Sequence, residues 1–556
     1  MIIDEAMQAA VRHHESGRLY DAEQMYRNVL AQMPEHPDAL HLLGLIARRA
    51  GQLDAAQDLI RRAIAIDPAM PAYHSNLGLV LMDQTHINEA AAAFWQAIQL
   101  APEFSQAHNN LGVALRDQDR VEESVAKFQR AIQLQPNFAE AYSNLSTSLL
   151  KLGRHDEAIA AATTAVQLKP GRLADAHYNM GTAFLEIGRY TEAIDALSAA
   201  IAIQPNHVLA LTNLGNAMKN LRRPVEAIEA YSTAISHDPL KPDPHWNLAL
   251  ASLQTGDFAR GWEEHEWRFA CDVLHRPQIF AQPQWRGEPV EGKRILLHPE
   301  QGLGDSIQFI RYAPMLASRG AKVVLQCDHS LVRLFQSLPG ISVVIARDQP
   351  LPEFDLHCPV MSLPLAFATR LESIPAEVPY LSPPSQDRAR WQQLVRSEQK
   401  QLKVGLAWAG SSIHRNDRSR SMKLSQLQPL GSVAGVQFFS MQKGKESEQL
   451  SSLREDWPMV DLADELNDFA DTAGLVSQLD LVISVDTSVA HLAGAMGKPV
   501  WVLLPFAPDW RWLLDRGDSP WYPTMRLFRQ PSQGDWDSVV EQVRTALAVE
   551  QSRWHL

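Results

Sequence analysis

Several things are scarce in this chain, and each shortage removes a class of protein. Cysteine occurs only at positions 271, 327 and 358. That spacing builds neither a disulfide framework nor a metal-ligand pattern, so the three read as reduced thiols. Long apolar runs are missing: none approaches the roughly 20 residues that a membrane-crossing helix needs. The opening Met1-Ile2-Ile3-Asp4-Glu5 has neither the basic start nor the apolar core of a signal peptide, so a cytoplasmic location is expected. Positive charge is in deficit. A net charge of −13 argues against nonspecific binding to nucleic acid or to an acidic membrane. Apolar residues are not scarce. At 46% of 556 positions they suffice for packed cores in three or four domains.

The first half repeats. Prolines fall at 34, 68, 102, 136, 170, 205 and 239, in steps of 34 or 35 residues. Ala63, Ala97, Ala131, Ala165, Ala200 and Ala234 keep the same beat. Glycines recur at 44, 78, 112, 181 and 215, and a second set at 17, 51, 153, 188 and 256. Aromatics recur at Tyr26, Phe94, Phe128 and Tyr231. This period and pattern are the tetratricopeptide signature, in which each repeat is two antiparallel helices. Seven full repeats are expected, starting near residues 3, 37, 71, 105, 139, 174 and 208, with a capping repeat completing an all-α superhelix over 1–270.

Asn76, Asn110, Asn144, Asn179, Asn213 and Asn247 occupy the same place in six consecutive repeats. An amide donates and accepts at once, so such a ladder could grip an extended peptide without reading its sequence. It resembles the asparagine ladder of O-GlcNAc transferase superhelices. The alternative is that each amide serves only its neighbours.

From Cys271 to Gly292 the periodicity stops, and prolines and glycines mark a linker. Strands and helices then alternate, which predicts two Rossmann-like α/β domains facing a cleft, over 293–385 and 386–556. In the first, strand 294–298 leads through Gly302-Leu303-Gly304-Asp305 into a helix over 307–318. In the second, strand 403–409 leads into Gly410-Ser411-Ser412 and a basic loop with His414, Arg415, Arg418, Arg420 and Lys423. Strand 436–441 leads into Lys443. Strand 481–485 leads into Asp486-Thr487-Ser488, where oxygen-bearing side chains suit a helix start, and then into Val489 and His491.

Asp305 could serve as a general base toward a hydroxyl or simply cap its helix. The basic loop and Lys443 suit a pyrophosphate, or form a solvated charge run. The stretch 505–529 holds Trp510, Arg511, Trp512, Trp521, Tyr522 and Arg526 and reads mainly as packing.

Gly304-Asp305 and Asp486-Thr487-Ser488-Val489-Ala490-His491-Leu492-Ala493 together resemble glycosyltransferase family 9, the ADP-heptose:lipopolysaccharide heptosyltransferase-like enzymes of GT-B fold. The resemblance implies a metal-independent, inverting transfer of a hexose or heptose from a nucleotide-diphosphate sugar, with no further cofactor. It implies Asp305 as the catalytic base, and Asp486, Thr487, Ser488, Val489 and His491 in donor binding. It places Gly410, Ser411 and Ser412 beside the diphosphate. Arg418, Arg420 and Lys423 compete for the family's basic position. Gln442-Lys443 stands where heptosyltransferases carry a sugar-selecting acid. With the repeats in front, the expected acceptor is a protein hydroxyl; a repeat scaffold with an inactive GT-B domain is the alternative.

Overall fold

The computed structural model describes residues 3–271, 278–396, 401–411, 417–452 and 457–554. The chain forms two compact units, residues 1–217 and 218–556.

The first unit is an array of antiparallel helix pairs: Ile3–Glu15 with Leu19–Gln32, Pro37–Arg49 with Leu53–Ile66, Pro71–Asp83 with Ile87–Leu100, Ser105–Asp117 with Val121–Leu134, Ala139–Lys151 with His155–Leu168, and Ala174–Glu186 with Tyr190–Ile203. The period sets every boundary. Each second helix stops two residues before the repeating proline, whose missing N–H forbids another turn. From the second repeat onward, the last carbonyl satisfied belongs to the repeating alanine, as in Asp67 N–H to Ala63 O at 2.9 Å. The glycine of the first helix lets the second come close. A Cβ on Gly78 would stand 2.5 Å from the Phe94 ring, and one on Gly112 would stand 2.7 Å from Phe128. The turn inside each pair needs a positive φ. Gly17, Gly51, Gly153 and Gly188 supply it, whereas Thr85 and Asp119 adopt it at φ 62° with a side chain attached.

The second unit opens with helices Pro224–His237, Pro242–Thr255 and Phe258–His265 and a short 3-10 turn, Glu266–Ala270. Residues 272–277 of the expected linker lie outside the described residues. Beyond them, Trp285 is fully buried, and its backbone N–H donates to His357 O at 2.7 Å, so this stretch runs along a sheet edge.

Among the described residues ten strands follow: β1 Arg294–His298, β2 Lys322–Cys327, β3 Ile341–Ala346, β4 Leu356–Pro359, β5 Leu402–Ala407, β6 Val436–Ser440, β7 Met459–Asp461, β8 Leu481–Val485, β9 Val500–Leu504 and β10 Met525–Arg529. They make two sheets, ordered β3-β2-β1-β4 and β10-β9-β8-β5-β6-β7, and every pairing is parallel. β8 and β9 are buried at every position, as parallel strands covered on both faces must be.

Two expectations change. The helix foreseen over 307–318 is two, Leu303–Phe309 and Tyr312–Ser318, because Pro314 has no N–H to continue the ladder. β10 lies inside the stretch 505–529, which the sequence reads mainly as packing, its apolar alternation hidden by Arg526 and Arg529.

The two α/β layers are joined by polar contacts of a buried arginine, Arg311, and an exposed one, Arg333. Arg311 donates to Pro375 O (2.9 Å), Trp521 O (2.7 Å) and Tyr380 Oη (3.0 Å). Arg333 pairs with Asp387 (2.6 Å) and Asp468 (2.8 Å).

Candidate functional site

Each sheet reverses its strand order in the middle. β1 leads to β2 on one side and has β4 on the other; β5 leads to β6 on one side and has β8 on the other. At such a reversal, the loops leaving adjacent carboxyl ends diverge and open a crevice. Asp305 lies just beyond β1, Gly410 and Ser411 beyond β5, and Asp486 and Thr487 beyond β8.

The turn after β1 is clamped from below. Arg268, fully buried, donates to both oxygens of Glu300 at 2.7 and 2.9 Å, to Glu266 at 2.7 Å and to Ser362 at 2.7 Å. A buried guanidinium is tolerated only with such complete pairing. Asp305 then sits in the first turn of Leu303–Phe309. Its Oδ2 accepts the Gly302 N–H at 2.9 Å, so the carboxylate does cap its helix. Its Oδ1 is paired with Arg511, and 18% of the side chain remains exposed. Capping and availability to a ligand therefore coexist in one carboxylate.

Gly304 meets the other layer. A Cβ there would lie 3.0 Å from Cδ2 of His491 and 3.6 Å from the Ser488 Cα. His491 is buried and stacks on Trp512, with centroids 5.5 Å apart. Its Nδ1 bonds the Tyr522 hydroxyl at 2.9 Å, and its Nε2 lies 3.9 Å from Asp486 Oδ1. Burial, then Arg511, Arg311 and Arg420, hold its pKa well below the ordinary value, so the imidazole is neutral at neutral pH. Asp486 moves the other way. Burial first and the Asp509 carboxylate second push it up to about 6, against the pull of Trp512, Arg420 and Arg511.

The helix after β8 is Ser488–Ala495, and no side chain caps it. The expected oxygen cap fails because the Thr487 hydroxyl bonds Ser484 Oγ at 3.0 Å instead. Ser488 and Val489 open this helix and are half-buried.

Among the cations of the basic loop, Arg420 comes to this segment and donates to Asp486 O at 3.1 Å. It covers Gly410, where a Cβ would fall 2.6 Å from Nη2. Arg418 and Lys423 are exposed, Ser411 is exposed, and Ser412, His414 and Arg415 lie outside the described residues. Lys443 is exposed and donates to Ala463 O at 2.7 Å. Gln442 is a buried bracket: its amide accepts from Trp408 and Ala409 N–H (3.1 and 3.0 Å) and donates to Ala409 O (3.1 Å).

Trp510, Trp512, Trp521 and Tyr522 are buried, as the packing reading requires, and Arg526 is exposed. The residues that sequence reasoning left out of the site are Arg511, Asp509 and Gln308. Arg511 Nε donates to Gln308 Oε1 at 2.6 Å and Nη1 to Asp509 Oδ1 at 2.8 Å. The available signal was an arginine set between two tryptophans. A charge placed in so apolar a stretch has to find partners.

In the first unit, asparagines of the ladder are tied to the neighbouring repeat. Asn76 Nδ2 bonds His41 Nε2 at 2.7 Å, Asn144 donates to Asn109 at 3.0 Å, and Asn213 donates to Thr182 at 3.0 Å. Asn179 donates to Ser143 O, Ser146 Oγ and Thr147 Oγ1. Each of these amides thus reaches the first helix of the preceding repeat. Asn110 is buried, and its Nδ2 has no hydrogen-bond partner among the described residues. In the second unit, Asn247 donates to Asp243 O in its own helix, at 3.0 Å.

Comparison with known proteins agrees with both halves. The tetratricopeptide repeat families match residues 13–78, 75–138, 123–172, 143–208 and 212–261. Glycosyltransferase family 9 (heptosyltransferase) matches residues 426–504, which contain Asp486–His491. Protein FlbA of Caulobacter vibrioides is 28% identical over 327 residues, covering 54% of this chain and 54% of that protein. The chain therefore spans about half the length of the curated relative it matches. Among solved structures, YrrB, described as a TPR protein with an unusual peptide-binding site, is 25% identical. That match covers 34% of this chain and 95% of YrrB, with a TM-score of 0.29. PilF of Pseudomonas aeruginosa is 20% identical over 37% of this chain and 94% of PilF, with a TM-score of 0.35. The chain carries tetratricopeptide repeats across its N-terminal region and a glycosyltransferase family 9 domain near its C-terminus.

Proposed function

We propose that this protein is a glycosyltransferase that moves a sugar from a nucleotide-diphosphate donor to a hydroxyl of a protein bound by its repeats. The observation that carries this reading is convergence. Gly304, next to Asp305 in the turn after β1, packs against His491 of the segment after β8, and Asp305 itself pairs with Arg511 from the loop after β9.

In this reading the donor lies along the loops after β5 and β8. The uncapped amides at the start of Ser488–Ala495 and the guanidinium of Arg420 face the diphosphate, where negative charge grows as the bond breaks. Ser411, Arg418 and Lys443, all exposed, are within the same set of strand-end loops and complete the donor side. His491, neutral, offers a hydrogen-bonding nitrogen without adding charge.

The acceptor oxygen attacks the anomeric carbon from the face opposite the diphosphate. Asp305 takes its proton, the new C–O bond forms, and the bond to the diphosphate breaks with its electron pair leaving on the nucleotide. Configuration inverts, and the arginines rather than a metal carry the charge balance. The asparagine ladder, through the amide lone pairs left over from its inter-repeat bonds, holds the acceptor chain.

The test is calorimetry of the full chain against ADP-heptose, UDP-glucose, UDP-N-acetylglucosamine, GDP-mannose and dTDP-rhamnose. Saturable binding of one donor, lost in Asp486→Ala, is the expected result. No binding by a folded sample would overturn the reading.

A further inference from the structure

The group that the proposed base depends on lies 206 residues away in sequence, in the loop between β9 and β10. Resting on the glycosyltransferase reading above, we propose that Arg511 is the positioning residue that fixes the Asp305 carboxylate for proton abstraction.

Three observations point to it. First, the fork is fully directed. Nη2 binds Asp305 Oδ1, Nη1 binds Asp509 Oδ1, and Nε binds Gln308 Oε1. The guanidinium also lies over the Trp510 ring, 4.4 Å from its centroid. A planar fork with three separate partners has one orientation, and lysine could not reproduce it. Second, Asp305 has one oxygen on the Gly302 N–H and the other on Arg511, so the plane of the carboxylate is set from two sides. Each oxygen keeps a second lone pair for an incoming hydroxyl.

Third, the loop that carries Arg511 is built to stay still. Gln254 donates to Pro508 O at 2.9 Å, and Arg222 donates to Leu514 O at 2.9 Å and to Asp515 at 2.7 Å. Arg529 donates to Leu513 O at 3.1 Å and Arg516 O at 3.0 Å. Three side chains are spent on loop carbonyls, and Arg222 and Gln254 come from the last helical repeats. Such anchoring holds Arg511 at the precision that a base needs, since small misplacement of a reacting group costs rate steeply.

The experiment follows release of nucleotide diphosphate from whichever sugar nucleotide of the panel binds, with water as acceptor. It compares the full-length wild type with Arg511→Lys, Arg511→Ala and Asp305→Asn. Arg511→Ala is expected to lose about 100-fold in turnover, the scale of a general base made ineffective. Its donor affinity should stay within about threefold of wild type. Millimolar guanidinium, far below denaturing levels, should restore part of that loss. It should restore nothing in Asp305→Asn. Arg511→Lys, which keeps the charge and guards against misfolding, should stay close to the Ala variant.

Unchanged turnover in both Arg511 variants would overturn the assignment while leaving the transferase reading intact. So would a loss of donor binding that tracks the loss of rate without rescue, which would make Arg511 a donor-binding or structural residue. A folded wild type that binds no sugar nucleotide of the panel would overturn the transferase reading itself, and this inference with it.

Discussion

Gly304 and His491 touch where the two α/β layers meet, and the space between them is smaller than a methyl group. A Cβ at 304 would stand 3.0 Å from the imidazole Cδ2. His491 cannot retreat, because Trp512 stacks on its ring and the Tyr522 hydroxyl holds its Nδ1. The absence of one side chain therefore sets how closely Asp305 approaches the segment after β8.

Gly304→Val should push the helix Leu303–Phe309 away from Ser488–Ala495. Overpacking of this kind costs about 1–3 kcal/mol. Thermal unfolding should show a lowered midpoint, and donor turnover should fall further than the stability loss explains. A variant with wild-type turnover would show that the close approach is unimportant to the site.

Asp486 gives the free protein a pH dependence with a definite sign. Its pKa is raised from the ordinary 3.8 to about 6, chiefly by burial. A raised carboxyl contributes stability that is fully present below about pH 4 and is lost as pH rises through about 6. Asp486→Asn should therefore be more stable than wild type at pH 8, and the difference should vanish near pH 4. Denaturant midpoints at a series of pH values read this directly. A variant less stable than wild type at pH 8 would contradict it.

Thr85 sits at φ 62° at the turn where four other repeats of the first unit place glycine. A β-branched residue is strained there. Thr85→Gly should stabilise the protein by about 1 kcal/mol, whereas Gly51→Thr, at φ 74°, should destabilise it by a comparable amount. Chemical denaturation of the two variants checks both signs.

Within the ladder, structural and binding duties should separate by position. Asn179 is buried and donates to three oxygens of the preceding repeat. Asn179→Ala should cost about 1–3 kcal/mol by leaving them unpaired. Asn213 is half-buried with one such bond, so Asn213→Ala should unfold close to the wild-type midpoint. An acceptor protein, once found by labelled transfer, should bind the Asn213 variant more weakly. Equal affinity would remove that rung from the groove.

The repeat array was almost wholly legible in the chain. Proline, alanine and glycine act there through local geometry, namely a missing N–H, a small side chain and a permitted φ, so position in the period fixes position in the helix. The residues after β1, β5 and β8 were legible for the same reason: an apolar run, a break and a helix start are local signals. Errors arose where a distant partner decided. Thr487 gives its hydroxyl to Ser484 instead of the helix. Among the described basic residues near Gly410, it is Arg420 that reaches Asp486, which the charge run alone could not tell.

The sequence by itself thus determined the helix pairs, the parallel strands and the loops that carry Asp305 and Asp486, because each follows from interactions within a few residues. Only the tertiary structure decided that Asp305 would face Arg511 and that Gly304 would close on His491. Those contacts join residues 206 and 187 positions apart and exist only once two separately folded sheets pack and water leaves the space between them.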